Sequence, residues 1–469
     1  MADKKELSEG KKLEESLFYK KENFFEVSSE EKIKAAYDYA EGYKKFLDES
    51  KTEREAVRAA TAYAESKGYS EYKFGDKLSA GDKKYYSNRG KSFIMFKVGS
   101  ENMAVNGIKI LASHIDSPRL DIKQVPLYED TGMAFLKTHY YGGIKKYQWT
   151  AMPLALHGTV VLESGEAVTV TVGEKDSDPV FYINDLLPHL SKEQITKPLA
   201  TAIDGETLNV LVGGYPFKDD DVKEKVKLTV LKKLNENYGM KETDFISAEL
   251  CVVPAYKARD IGFDRALIGG YGHDDRVCSY PAMTALGESK DELSTVVVVL
   301  ADKEEIGSEG ATGMQCGIFS DLVDMLAASQ GVPASVVRAN SKCLSADVTA
   351  GFDPNFAGVF EKRNSSIVSC GTALCKFTGA GGKSGSSDAS AELVGYVRRI
   401  FEKAKVNWQM AELGKVDAGG GGTVAKYIAK LNIDTIDIGV PVISMHAPYE
   451  VISKADLYST YEAFAAFIG

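Results

Sequence analysis

Residues 296–310 read VVVVLADKEEIGSEG. The run 296–301 is apolar throughout, with no polar alternation, so both faces of the strand it forms are expected to be buried. That is the signature of a sheet covered by helices on both sides, hence an α/β fold. Glu304 and Glu305 follow at once. In open α/β sheets, ligands gather beyond the carboxyl ends of such strands, so a carboxylate pair placed there is a candidate site.

Four more residues have similar settings. His114 ends the apolar stretch IKILASH, Asp347 closes CLSAD, His446 follows VPVISM, and Asp274 lies in the Gly-rich GYGHDDR. The chain has only 6 histidines, so two of them at strand ends carry weight. His114, Asp274, Glu305, Asp347 and His446 offer two imidazoles and three carboxylates. This set suits a pair of divalent ions, with one carboxylate bridging at ~3.5–4 Å separation. Each ion then takes one histidine and one further carboxylate.

Two neighbours add to the set. Asp116 lies two residues after His114, on the same side of an extended segment. Its carboxylate is expected to accept the second ring N–H of His114 and fix its tautomer. Glu304 and Glu305 point apart on extended backbone, so one is expected to bind metal and the other to act as a base beside the attacking water. Taken singly, each residue has a structural explanation too: a hydrogen-bonded histidine, a solvated Glu-Glu turn, an aspartate cap.

Composition narrows the class. The chain has 469 residues, 44% of them hydrophobic, enough for a main domain plus a second unit. With 57 basic and 67 acidic residues the formal charge is −10, which argues against a general nucleic-acid or membrane-surface binder. The 6 cysteines show no CxxC spacing and sit mostly in apolar runs, so a reducing compartment is expected. Residues 1–16 are polar, without the apolar core of a signal peptide. No window approaches the ~20 apolar residues of a membrane span. A cytoplasmic location is expected.

The texture changes along the chain. Residues 31–49 and 51–66 read as helices, and residues 91–98 and 106–114 as strands. From 127 to 247 the metal candidates are absent. Here GTVVLESGEAVTVTVG alternates around Ser164-Gly165 as a hairpin does, and KEKVKLTVLKKLNENYG reads as a helix ending at Gly239. We expect a β-rich domain at 127–247, inserted into a metal-binding domain formed by 1–126 and 248–469, with both junctions in loops. After 248, strands and helices alternate.

Weaker signals are His189 in NDLLPHLSKEQ, and Lys376, Arg363 and Lys362 as cations for an anionic substrate group; all can equally be surface residues. GGKSGS at 381–386 resembles the end of a phosphate loop, but Phe377 replaces the required first glycine. No G-x-S-x-G supports serine hydrolase chemistry.

SHIDSPRL, YGG at 141–143, LLPHL, GGYGHDDRVCSY, EEIGSEGA, SADV and ISMH occur in this order over most of the chain. Together they resemble the M18 metallopeptidases, the aspartyl aminopeptidase and aminopeptidase I group, in its bacterial branch. The resemblance implies two zinc-like ions and release of a peptide's N-terminal amino acid. It implies that His114 and Asp347 hold one ion, Glu305 and His446 the other, and that Asp274 bridges. Asp116 would orient His114, and Glu304 would be the general base. It also implies a zinc-peptidase-type catalytic domain with a central mixed sheet flanked by helices, and a dimerisation role for the insert. Dimers would assemble into a tetrahedral dodecamer, with His189 placed in the partner's active site to stabilise an oxyanion.

Ile115, Arg119, Asp275 and Ala447 depart from the eukaryotic pattern. They remove no ligand but leave the terminal residue open: acidic if Lys376 or Arg363 lines the pocket, apolar if not. Zinc, cobalt and manganese all accept these ligands. The rivals are a related amidohydrolase acting on N-acyl substrates and a non-catalytic peptide-binding or assembly relative.

Overall fold

The computed structural model describes residues 7–469; the first six residues of the polar segment 1–16 lie outside the described residues. Among the described residues the strands form three sheets. The largest has nine strands. Its inner four, Val296–Ala301, Lys109–His114, Lys342–Ala346 and Asp434–Gly439, are parallel neighbours in that order. Ser92–Lys97 and Thr372–Cys375 run antiparallel to the strands they flank, so the sheet is mixed, as expected.

The apolar run at 296–301 is buried on both faces for the reason read from its sequence. Val296, Val298 and Leu300 pack with the helices Glu30–Glu49, Glu53–Ser66, His273–Glu288 and Lys454–Ile468. Val297, Val299 and Ala301 pack on the opposite side with the helix Ile318–Ser329. Each fully buried Val or Leu contributes about 1.5–3 kcal/mol, so the strand that carries Glu304 and Glu305 on its end is among the best-anchored in the molecule.

A seven-stranded sheet forms the second unit. Ala248–Pro254 pairs with both Arg119–Asp130 and Pro153–Val161, closing the sheet on itself. The expected hairpin is present, Pro153–Val161 pairing antiparallel with Ala167–Val172. The helix Lys225–Tyr238 covers the sheet and ends at Gly239, whose φ of 72° suits glycine.

The closed sheet extends beyond 127–247 at both ends. Position 127 falls inside the strand Arg119–Asp130, not in a loop, and Ala248–Pro254 belongs to the same sheet. The physical reason is closure: the ring of strands closes only by recruiting those that lead in and out, while Ala167–Val172 remains an edge beside it.

The third sheet contains Leu267–Gly270, Glu450–Ser453 and Pro441–Ile443. It delivers Asp274 and His446 towards the carboxyl ends of the nine-stranded sheet. Among the described residues no helix is long and apolar enough to cross a membrane.

Candidate metal centre

All five expected ligands converge. Register sets His114 level with Ala301 on the adjacent strand, so the turn bearing Glu304 and Glu305 starts beside the imidazole. Asp347 follows the strand on the other side of His114. Asp274 enters at the kinked start of the helix His273–Glu288, where Asp274 and Asp275 have non-helical dihedral angles. His446 sits in the loop after Pro441–Ile443.

The two histidines are held in the same tautomer. His114 Nδ1 lies 3.0 Å from the Asp116 carbonyl oxygen, and His446 Nδ1 lies 2.8 Å from the Gly143 carbonyl oxygen. A carbonyl only accepts, so each Nδ1 carries a proton and each neutral ring presents a lone pair at Nε2. Those lone pairs face carboxylates. His114 Nε2 is 3.2 Å from Asp274 Oδ1 and 3.8 Å from Asp347 Oδ1. His446 Nε2 is 3.1 Å from Asp274 Oδ2 and 3.5 Å from Glu305 Oε1.

Acceptor against acceptor at such distances requires a cation or a proton between them. Asp274 Oδ1, Asp275 Oδ1 and Glu305 Oε1 are moreover buried without a hydrogen-bond partner, which is costly for a charged oxygen. Without metal the conflict appears as displaced titrations. Burial pushes Glu305 and Asp347 up and pushes Glu304 up to about 8. Burial opposes charge on His446, yet Asp274 and Glu305 carry it up to about 10. Divalent cations would satisfy carboxylates and imidazoles together.

Among the described residues two donor groups are compact enough to hold an ion: His114, Asp274 and Glu305, and His114, Asp275 and Asp347. Asp275 is therefore a candidate that sequence reading passed over. Adjacent residues on regular backbone point apart, and only the kink turns both carboxylates inward. Glu450 was also missed. Its buried carboxylate accepts the backbone N–H of Asp274 at 3.1 Å and of His446 at 2.6 Å, clamping two ligand residues; its position within HAPYE was the available signal.

Asp116 differs from expectation in detail. Its main-chain carbonyl, rather than its carboxylate, takes the closer contact with His114 Nδ1; carboxylate Oδ1 stands 3.4 Å away. The carboxylate instead accepts the backbone N–H groups of Glu304 and Glu305 at 3.1 and 3.2 Å and the Tyr141 hydroxyl at 2.8 Å.

The ligands open into a cavity of about 480 Å³, which Glu304 also lines. Its remaining wall includes Phe377, Leu413, Met445 and Lys426. The four other sequence candidates lie elsewhere. Arg363 borders a groove formed with residues 15–22. Lys376, at the end of the strand Thr372–Cys375, pairs with Asp388 at 2.9 Å and is absent from the cavity wall. Lys362 lies over the Phe352 ring. His189 is exposed in the short turn Pro188–Leu190 of the second unit.

The family profile "Aminopeptidase I zinc metalloprotease (M18)" matches residues 46–468. The chain belongs to the M18 aminopeptidase family. A probable M18 family aminopeptidase 1 of Clostridium acetobutylicum is 48% identical over 454 residues, covering 95% of this chain and 97% of the relative. The crystal structure of an M18 aminopeptidase from Thermotoga maritima superimposes with a TM-score of 0.91 at 40% identity, covering 96% of this chain and 99% of that one. The S. cerevisiae mApe1 dodecamer shares the fold, with a TM-score of 0.75 at 21% identity over 92% of this chain and 96% of that one. The family and the two donor groups make this M18 protein a dinuclear metal-dependent aminopeptidase.

Proposed function

We propose that the protein removes single N-terminal residues from peptides with two zinc ions. His114 and Asp347 hold one ion and Glu305 and His446 the other, with Asp274 between them; Asp275 is available as a further donor to the first. The supporting observation is that the two oxygens of Asp274 each face a different histidine Nε2. When bound, the ions supply Lewis acidity towards the scissile carbonyl and the attacking water.

Glu304 stands on the cavity wall outside both donor groups. We assign its carboxylate the role of taking the proton from the water and delivering it to the departing amine. Asp116 fixes the turn from which Glu304 projects. The apolar wall of Phe377, Leu413 and Met445, with the Lys426 ammonium beside it, supports neutral or acidic terminal residues.

The closed-sheet unit is proposed to mediate dimerisation, and dimers to assemble into a dodecamer; the yeast relative is itself a dodecamer. Around His189, Leu186, Leu187, Leu190, Ile195 and Leu199 are exposed. An apolar surface of this kind on one short stretch is suited to burial against a second copy, and this supports His189 acting in the partner's cavity. All six cysteines are unpaired, which supports a cytoplasmic location.

The test is hydrolysis of a panel of X-peptides, with X as Asp, Glu, Leu, Met, Lys or Ala, beside matched N-acetyl forms. Chelator-sensitive release of X from the free-amino peptides alone is expected. Cleavage of the N-acetyl forms would indicate an amidohydrolase instead, and no release after zinc restoration to the native assembly would indicate a silent relative.

A further inference from the structure

Tyr141 ends the strand Met133–Tyr141 of the closed sheet and Gly142 and Gly143 follow it in a bend; polar groups of Tyr141 and Gly143 point at the metal centre. The Tyr141 hydroxyl donates to Asp116 Oδ2 at 2.8 Å, and the same carboxylate holds the backbone N–H groups of Glu304 and Glu305. Two residues on, the Gly143 carbonyl accepts the Nδ1–H of His446 at 2.8 Å and so determines which nitrogen of that ring is left for metal. Gly142 passes between them. A Cβ on Gly142, where φ is 76°, would stand 3.2 Å from Glu305 Oε2, and one on Gly143 would stand 3.3 Å from His446 Nδ1. The positive φ of Gly142 favours glycine there, and a Cβ at either position would crowd a ligand side chain by a few tenths of an ångström.

The closed sheet anchors this segment firmly. Register places Tyr141 opposite Arg119, whose guanidinium lies 4.3 Å from the Tyr141 ring centroid. Glu53 and Asp121 hold Arg119 at 2.7 and 2.8 Å. The ring is thus fixed from behind while its hydroxyl reaches forward.

We propose that the Tyr141–Gly142–Gly143 segment is a positioning element through which the closed-sheet unit of each chain sets the metal geometry of that same chain. Tyr141 acts through Asp116 on the turn bearing Glu304 and Glu305; Gly143 acts on His446. The second unit then has a role inside its own subunit's active centre, separate from any contact it makes with another copy. Hydrogen-bond partners one step removed from a metal alter affinity or activity by about 10–100-fold when lost. The inference rests on the two-metal reading above.

The test uses full-length Tyr141→Phe and Gly143→Ala proteins, with Tyr128→Phe as a control that removes a hydroxyl from the adjacent strand of the same sheet. Zinc affinity is measured by competition with a chromogenic chelator, and kcat and KM are measured separately on a free-amino peptide. Gly143→Ala keeps the carbonyl but sets a Cβ 3.3 Å from His446 Nδ1, and the displaced ring is expected to weaken one of the two zinc ions by about tenfold. Tyr141→Phe is expected to keep both ions and lower kcat about tenfold, with KM changed less than about twofold. The control should match wild type. If Gly143→Ala fails to fold, Tyr141→Phe decides, because it deletes a single oxygen. Wild-type kcat and zinc affinity in folded variants would overturn this inference alone. No zinc uptake by the wild-type protein would overturn the two-metal reading and this inference with it.

Discussion

His114 and His446 direct their Nε2 atoms at opposite oxygens of one carboxylate, Asp274, at 3.2 and 3.1 Å. His114 ends a strand of the nine-stranded sheet and His446 sits in the loop after a strand of the third sheet, and each has its other ring nitrogen tied to a main-chain carbonyl. This arrangement of two imidazoles about one buried carboxylate is what the proposed two-metal centre rests on.

Glu304→Gln preserves shape and removes the proton acceptor. Glu304 belongs to neither donor group, so the variant should retain both ions while kcat falls by about 10²–10⁴-fold. Metal content and turnover measured on one preparation check this. Loss of metal together with activity would place Glu304 among the ligands.

Lys426 lines the cavity and Arg363 does not. Lys426→Ala should lower kcat/KM for Asp- and Glu-peptides relative to Leu-peptides by about tenfold, the size of one lost charge-assisted hydrogen bond. Arg363→Ala should leave the ratio unchanged. A competition assay with mixed peptides reads both variants, and the reverse pattern would move the acidic subsite to the groove beside residues 15–22.

The junction between the two units should depend on pH. His157, buried on the strand Pro153–Val161, lies between Glu55 at 2.8 Å and Glu174 at 3.0 Å, with Lys51 on Glu174 and Arg58 near Glu55. Burial opposes charge on His157, but the two carboxylates raise its pKa above the ordinary 6.5. Its stabilisation is therefore complete below the unfolded-state value of 6.5 and is lost as pH rises through the folded value. For Glu55 and Glu174 burial also opposes charge, yet His157 holds both below the ordinary 4.5, so their share is lost as pH falls through their folded values. Tm should decline as pH rises above the unfolded-state value of 6.5 and through the raised folded value, and His157→Gln should flatten that decline. An unchanged slope in the variant would remove His157 as its source.

Much of the fold and the centre was legible because most of the donors end or follow an apolar strand. The run Val296–Ala301 declared a doubly covered strand, and its parallel register with Lys109–His114 puts Glu304 and Glu305 beside His114. What escaped depends on geometry that sequence spacing does not encode. Asp275 turns inward only because the helix start is kinked. Gly143 contributes a carbonyl, which every residue possesses, and so carries no side-chain signal. The boundary at 127 was misplaced because Arg119–Asp130 is one strand that crosses it. Arg363 and Lys376 were read as pocket cations from charge alone, and the loops that carry them direct them away from the cavity wall.

The most direct test is the zinc content of wild-type and Asp274→Ala protein after dialysis, measured by mass spectrometry against protein concentration. The account predicts about two ions per chain in the wild type and about one or none in the variant, with turnover lost. Two ions retained in Asp274→Ala would show that this carboxylate does not bridge and would contradict the proposed centre.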